Sequence, residues 1–417
     1  MINKKPCACS LASIVAALTL ILLCSYQPAS LAETKVTGRK ETALKLVAEY
    51  KQNFLEDIST DGRLLLFYQT GAPTRSYTIP SDGGRVRANQ PPVYDDVLRV
   101  VERESGREIG RVRVEHFPSS VQFISGTQQV FYKEPTDNRQ KYLFKIWNFS
   151  TGEARACSNK DALNFRYATI VNAQYALGAV LQENGGELLG RLALPDCAVM
   201  VTESVNPADP KSMTRGGFNL SHNDRYLAYV TSDEVLIRDT STLNIVKRVK
   251  PPSGLIFGDS PVYTPDSKFF LVVASNTIFD KPETKRFLLF YDTTSYEVTR
   301  RLDITSLSPP DVRTERALSS PLVVTAMAVS PDGRLLAVGY TKETQNALAT
   351  TEQAQVVLYD LTTGEEVVRA SHPSMTQQRN DPFASKVAQL AFTPDGKYLL
   401  SSTYDTRLWE IGSRSSN

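Results

Sequence analysis

SPDGRLLAVGY, spanning Ser330–Tyr340, sets a tight polar turn directly against an apolar run. Proline presets φ for an early turn position, aspartate ties down nearby amides and glycine accepts a positive φ, so the chain leaves the turn as a strand. The same grammar recurs in TPDGKYLLSST (Thr393–Thr403), TPDSKFFLVVA (Thr264–Ala274), SHNDRYLAYVT (Ser221–Thr231) and STDGRLLLFYQ (Ser59–Gln69). Two degenerate copies, ISGTQQVFYKE (Ile124–Glu134) and VNAQYALGAVL (Val171–Leu181), bring the count to seven. Small sheets repeated along a chain in this way are arranged radially.

Each unit has a second half: an alternating strand, a polar residue and a turn that ends in glycine. VVLYDLTTGEEV (Val356–Val367), LFKIWNFSTGEA (Leu143–Ala154) and VLRVVERESGRE (Val97–Glu108) place that glycine four residues after Asp360, Asn148 and Glu102. FLLFYDTTSYEV and VLIRDTSTLNIV keep Asp292 and Asp239 but lose the glycine. One unit is therefore a four-stranded meander, with Asp332 and Asp395 read as turn formers. The expected fold is all-β, a seven-bladed β-propeller of four-stranded antiparallel blades. The last blade stops after TRLWEIGS (Thr406–Ser413) and lacks a fourth strand. ALKLVAEY (Ala43–Tyr50) alternates Leu44, Leu46, Ala48 and Tyr50 and can supply it from the other terminus, which would pair the two terminal edges. Its good helix formers make a short N-terminal helix the rival reading.

On these residues the chain resembles the WD40-like and TolB-like bacterial β-propeller repeats, over about 370 residues. The Trp-Asp pair of typical WD40 repeats is replaced here by Tyr359-Asp360, Tyr291-Asp292, Arg238-Asp239, Trp147-Asn148 and Trp409-Glu410. The resemblance is to a repeat class and implies a propeller fold.

Residues 1–32 read as an export signal. Lys4 and Lys5 precede an apolar stretch from Leu11 to Leu23, and Ser30-Leu31-Ala32 suits cleavage after Ala32. That stretch is shorter than the roughly 20 residues of a spanning helix, so no transmembrane segment is expected after cleavage. Residues 33–417 then form one propeller domain, periplasmic or secreted. The signal carries two of the 47 basic residues and none of the 45 acidic ones, which leaves the remainder formally neutral. A neutral chain without basic runs argues against nucleic acid as a partner. A monomer is expected. Cys157 and Cys197 are the two cysteines outside the signal, and an oxidising compartment favours pairing them. Full-length strands, however, would put them on opposite faces of the ring, beyond disulfide reach.

Spacing from turn residue to third-strand polar residue is 15 for Asp224 to Asp239 and for Asp395 to Glu410, but 41 from Asp61 to Glu102, 26 from Asp266 to Asp292 and 28 from Asp332 to Asp360. The links at Thr305–Ser320 and Ser371–Lys386 are also long. In a meander all of these fall on one face, and the other face holds tight turns. Long loops on a rigid scaffold are where binding concentrates. Candidate binding residues in the first blade's loop are Arg75, Tyr77, Arg85, Arg87 and Tyr94. Phe279 comes from the fifth blade, Arg313 and Arg316 from the link that follows, and His372, Arg379 and Phe383 from the link before the last blade. Arginine and aromatic side chains are the usual interface anchors.

No local motif for phosphate binding, metal-dependent proteolysis, a nucleophile elbow or calcium is present. The three histidines, His116, His222 and His372, fall in separate units, so neither a metal site nor a cofactor is expected. The leading expectation is a module for a protein or peptide of the cell envelope. An enzyme, lactonase-like or glycan-active with its site at the channel mouth, is the alternative, and no catalytic residue can be assigned to it.

Overall fold

The computed structural model describes residues 41–71, 95–115, 118–135, 142–157, 165–182, 186–194, 196–206, 215–231, 233–258, 261–276, 285–304, 323–345, 350–372, 375–377, 387–403 and 405–414. These form seven antiparallel sheets with no helix among them. Blade one is β2 (Asn53–Ile58), β3 (Leu64–Gln69), β4 (Val97–Glu102) and β5 (Glu108–Arg113), hydrogen-bonded in chain order. Blade two is β6 (Ser119–Ile124) to β9 (Ala154–Ala156), and blade three is β10 (Phe165–Ile170) to β13 (Val199–Ser204). Blade four runs from β14 (Arg215–Leu220) to β17 (Ile245–Val249). Blade five splits its inner strand into β18 (Ile256–Phe257) and β19 (Val262–Tyr263), both paired to β20 (Phe269–Ser275), followed by β21 (Arg286–Asp292) and β22 (Val298–Asp303). Blade six is β23 (Val323–Val329), β24 (Leu335–Gln345), β25 (Thr350–Asp360) and β26 (Glu366–Ser371), with β27 (Met375–Gln377) added on β25.

The seventh blade joins the two ends of the described chain. Its order is β28 (Gln389–Phe392), β29 (Tyr398–Ser402), β30 (Thr406–Arg414) and then β1 (Glu41–Tyr50), so the strand reading of Ala43–Tyr50 holds. Pairing runs from Glu41↔Arg414 to Tyr50↔Thr406 with a bulge between Leu46 and Ala48. The bulge modifies the expected alternation. Leu44 packs with the blade six–seven cluster, whereas Ala48 and Tyr50 pack with the blade seven–one cluster, because one extra residue turns the following side chains to the other face. From Tyr50 the chain passes through Lys51 and Gln52 straight into the inner strand of blade one.

Seven apolar clusters fill the seven gaps between consecutive blades. Val272, Leu289 and Tyr291 of blade five meet Ala228 and Ile237 of blade four, for example, and Leu65 and Phe67 of blade one meet Leu400 and Leu408 of blade seven. Strands rich in β-branched and aromatic residues suit this two-sided burial. Side chains also stitch neighbouring blades together. Phe123 N donates to Asp57 Oδ2 at 2.8 Å, Ile170 N to Gln122 Oε1 at 2.7 Å, and Leu55 N to Ser402 Oγ at 3.0 Å.

The turn chemistry matches its reading. Asp332 Oδ1 accepts from Ser330 Oγ and Arg334 N, and Asp395 Oδ1 from Thr393 Oγ1 and Lys397 N. In blade four Asn223 plays this part, and Asp224 stands where the other turns have glycine, with φ 58°. The spacing to Asp239 therefore runs from Asn223, not from Asp224. At the second turn Asp360 Oδ1 accepts from Thr362 N and Thr363 N, with Gly364 at φ 78°. Arg238, at a position occupied by Tyr291, Tyr359 or Trp147 in other blades, is equally buried. Its guanidinium donates to Tyr229 Oη at 2.7 Å and to the carbonyls of Ser204, Val205 and Leu243, so a buried cation is satisfied by neutral acceptors.

One sequence expectation is overturned: Cys157 and Cys197 form a disulfide, with Cα atoms 5.4 Å apart. Strand β9 is only three residues long, so Cys157 stays close to the turn face instead of crossing the ring. Cys197 lies in the tight β12–β13 turn (β12, Glu187–Ala193) on that same face. Both sulfurs sit in the apolar cluster between blades two and three.

Two stability outcomes follow from these contacts. Replacing both cysteines by serine is expected to cost about 2–4 kcal/mol, measured by denaturant unfolding, because the bridge closes a long loop in the unfolded chain. Asp224→Gly is expected to stabilise the fold by up to about 1 kcal/mol by relieving the left-handed backbone, and Gly333→Ala, at φ 70°, to destabilise it by a similar amount.

Candidate functional site

The meander sends every β-strand two to three connection, and every link between blades, to the same end of the ring. The described necks of the long connections on that face are held firmly. In blade one Asp96, which is buried, accepts from Tyr68 Oη at 2.6 Å and from Gly71 N at 3.0 Å. Gly71 passes so close to Asp95 that a Cβ there would lie 2.3 Å from the Asp95 carbonyl oxygen. In blade five Asn276 Oδ1 accepts from Lys285 N at 2.8 Å across the neck of its loop. In blade six β24 and β25 continue as a paired ladder to Gln345↔Thr350, and β27 pairs with Thr350–Glu352, giving a three-stranded extension beyond the blade body.

Of the residues expected to line this face, Arg75, Tyr77, Arg85, Arg87, Tyr94, Phe279, Arg313, Arg316, Arg379 and Phe383 lie outside the described residues. His372 is described, and it is not on the surface. It is 3% exposed, with Nε2 2.8 Å from Ser401 Oγ, Nδ1 3.3 Å from Thr403 Oγ1 and the ring edge-on to Trp409. Trp409 Nε1 donates to the same Ser401 Oγ at 2.7 Å. A serine hydroxyl against an imidazole has the composition of a nucleophile and its base, but full burial of Ser401 denies a substrate access. Burial, reinforced by Arg407 and opposed by Glu49, brings the His372 pKa down to about 4, so the ring stays neutral. It is a packing element of blade seven, and its place in the link concealed that.

The opposite face, expected to offer only tight turns, contains a cavity of about 540 Å³ at the mouth of the central channel. It is built from the ends of the innermost strands and first turns of blades one, four, five, six and seven. Apolar lining comes from Ile58, Leu220, Val262, Met327, Val329 and Phe392, and the rim carries Pro265, Pro331 and Pro394. Polar groups on the wall include Asp57, His222 and Gln389. The tight turns are what leave this mouth open. No sequence spacing marks it, because its walls come from residues more than 300 positions apart.

Asp57 is fixed by backbone donors from Ile58 and Phe123, both at 2.8 Å. Burial nevertheless raises its pKa to about 6, against the lowering effect of those two amides. Glu56 precedes it at the bulge in β2, and its carbonyl accepts from Gln389 Nε2 at 2.8 Å. Burial, and then the neighbouring Asp57 charge, push the Glu56 pKa up to about 8. Among the described residues no group of three His, Cys, Asp or Glu side chains is arranged to hold a metal ion, and no helix is long and apolar enough to cross a membrane.

These shifts give the fold a defined pH response. A carboxyl whose folded pKa exceeds its unfolded value contributes stability at low pH that is lost as pH rises towards the folded pKa. For Glu56 that window runs from 4.5 to about 8, and for Asp57 from 3.8 to about 6. His372, neutral when folded, acts oppositely and costs stability as pH falls from 6.5 to about 4. Between pH 6.5 and 8 Glu56 thus acts without the other two. The melting temperature is expected to fall by about 1–2 °C per pH unit there, and Glu56→Gln to remove most of that slope in a thermal melt series.

Comparison with known proteins reaches the fold and stops there. No family model and no curated protein sequence matches the chain. Among solved structures it is similar to Kuenenia stuttgartiensis hydrazine synthase, with a TM-score of 0.56 and 13% identity over 92% of this chain and 100% of that one. At that identity the likeness is one of fold alone, a seven-bladed propeller.

Proposed function

We propose that this chain is an exported propeller that captures a protein or peptide of the cell envelope on its loop-bearing face. The observation that carries the reading is the one-sided placement of the long connections, combined with necks pinned by Asp96, Gly71 and Asn276 and with the β24–β25–β27 extension. A fixed base sets where each connection leaves the ring, and each degree of freedom settled before binding leaves more of the contact energy as affinity. The buried Cys157–Cys197 bridge supports export, since structural disulfides persist in oxidising compartments. The signal-like residues 1–32, with cleavage after Ala32, support the same destination.

The rival reading, a hydrolase at the channel mouth, draws on Asp57 and His222 lining one cavity. It is the weaker of the two because, among the described residues, no Lys or Arg joins them in that lining to stabilise a developing negative charge.

Two variants test the leading reading. One replaces residues 72–94 by a short turn while keeping Gly71 and Asp96, and the other shortens the blade six hairpin by removing residues 342–353 as paired segments. Immobilised mature protein is expected to retain a stoichiometric partner from its own envelope extract, and each variant to retain at least about tenfold less, with melting temperatures within about 2 °C of the parent. Undiminished capture by both variants would remove this face as the binding surface.

A further inference from the structure

The cavity on the turn face has no part in that proposal, and its chemistry points to a different ligand. We propose that the turn-face mouth of the central channel binds a small organic cation, with an apolar body seated among Met327, Val329 and Phe392 and its positive group at Asp57.

Size is the first argument. About 540 Å³ lies within the roughly 300–1,000 Å³ typical of small-molecule sites, and it excludes a folded partner. Rigidity is the second. The rim is three first turns that each carry a proline and are closed by their own side-chain hydrogen bonds, as at Asp332 and Asp395. The wall is inner strand, stitched between blades one and two by Asp57 itself. A site of this kind is largely formed before the ligand arrives.

The sign of the charge is the third argument. Among the described residues Asp57 is the carboxylate in the lining, Glu56 adjoins it, neither has an ion-pair partner, and no Lys or Arg lines the cavity. Each Asp57 oxygen accepts one backbone N–H, which leaves lone pairs for a further donor. Burial raises both pKa values, Asp57 to about 6 and Glu56 to about 8, and a bound cation would favour the ionised form of each. His222 lines the same mouth. The Phe392 ring adds an aromatic surface of the kind that receives alkylammonium groups.

Benzyltrimethylammonium, whose charge does not change with pH, and neutral benzyl alcohol serve as probes in calorimetric titrations of the mature protein. The cation is expected to bind at least about tenfold more tightly than the alcohol, with affinity rising between pH 5.5 and 8.5 as Asp57 and Glu56 ionise, and falling with added salt. Asp57→Asn should remove most of the preference for the cation. Because that change also touches the contact with Phe123, Met327→Trp provides a second variant that fills the cavity and leaves both carboxylates in place; it should abolish binding of both probes. Equal affinity for cation and alcohol, no binding by either, or unchanged binding in the Met327→Trp protein would each overturn the proposal. None of these results bears on capture at the loop-bearing face.

Discussion

Every blade in this molecule buries both of its faces against neighbours, and that requirement governs the rest of the structure. A four-stranded sheet with two apolar faces has no stable surface to show to water, so each blade needs a partner on either side. Only a closed ring supplies two partners to all seven. Closure in turn rests on β1 lying beside β30, with Gln52 N donating to Asp405 Oδ1 and Thr406 Oγ1 to the Asn53 carbonyl where the ends meet. Because the seam is a strand pair like any other in the ring, β30 is covered, and β1 becomes the outer edge strand, as the fourth strand is in the other blades.

The architecture was legible because it is written locally and repeatedly. A turn phrase, a strand and a polar residue at a fixed interval are each decided within about a dozen residues, and seven copies make the pattern robust to the losses seen at Asp224, Tyr296 and Leu243. The strand at Ala43–Tyr50 could be anticipated from the missing fourth strand of the last blade. Its bulge could not, since that depends on which neighbours receive Leu44 and Tyr50.

What the sequence hid depends on length and depth instead of pattern. The disulfide was misjudged because β9 stops after three residues, and a strand's length is set by packing that no short motif records. His372 reads as a loop residue by position, yet it follows β26 directly and its ring packs onto Ser401 and Trp409. Arg238 is the converse case: a charged residue in an aromatic's place, made tolerable by Tyr229 and three backbone carbonyls that come from blade three and from its own turn. The channel mouth was invisible for a third reason. The turns that border it looked plain because each was short, and their shortness is what opens the space.

The pairing of β1 with β30 also imposes an order in time. A ribosome makes Glu41–Tyr50 more than 350 residues before Thr406–Arg414, so β1 must wait, unpartnered, while the blades between them appear. Its neighbour through Lys51 and Gln52, the inner strand of blade one, waits with it for the blade seven side of its packing. Contacts this distant in sequence are slow to form and leave an adhesive edge exposed meanwhile. The exposed Leu46 and Val47 lie on that waiting strand, so the unpaired edge carries apolar surface that needs protection until β30 arrives.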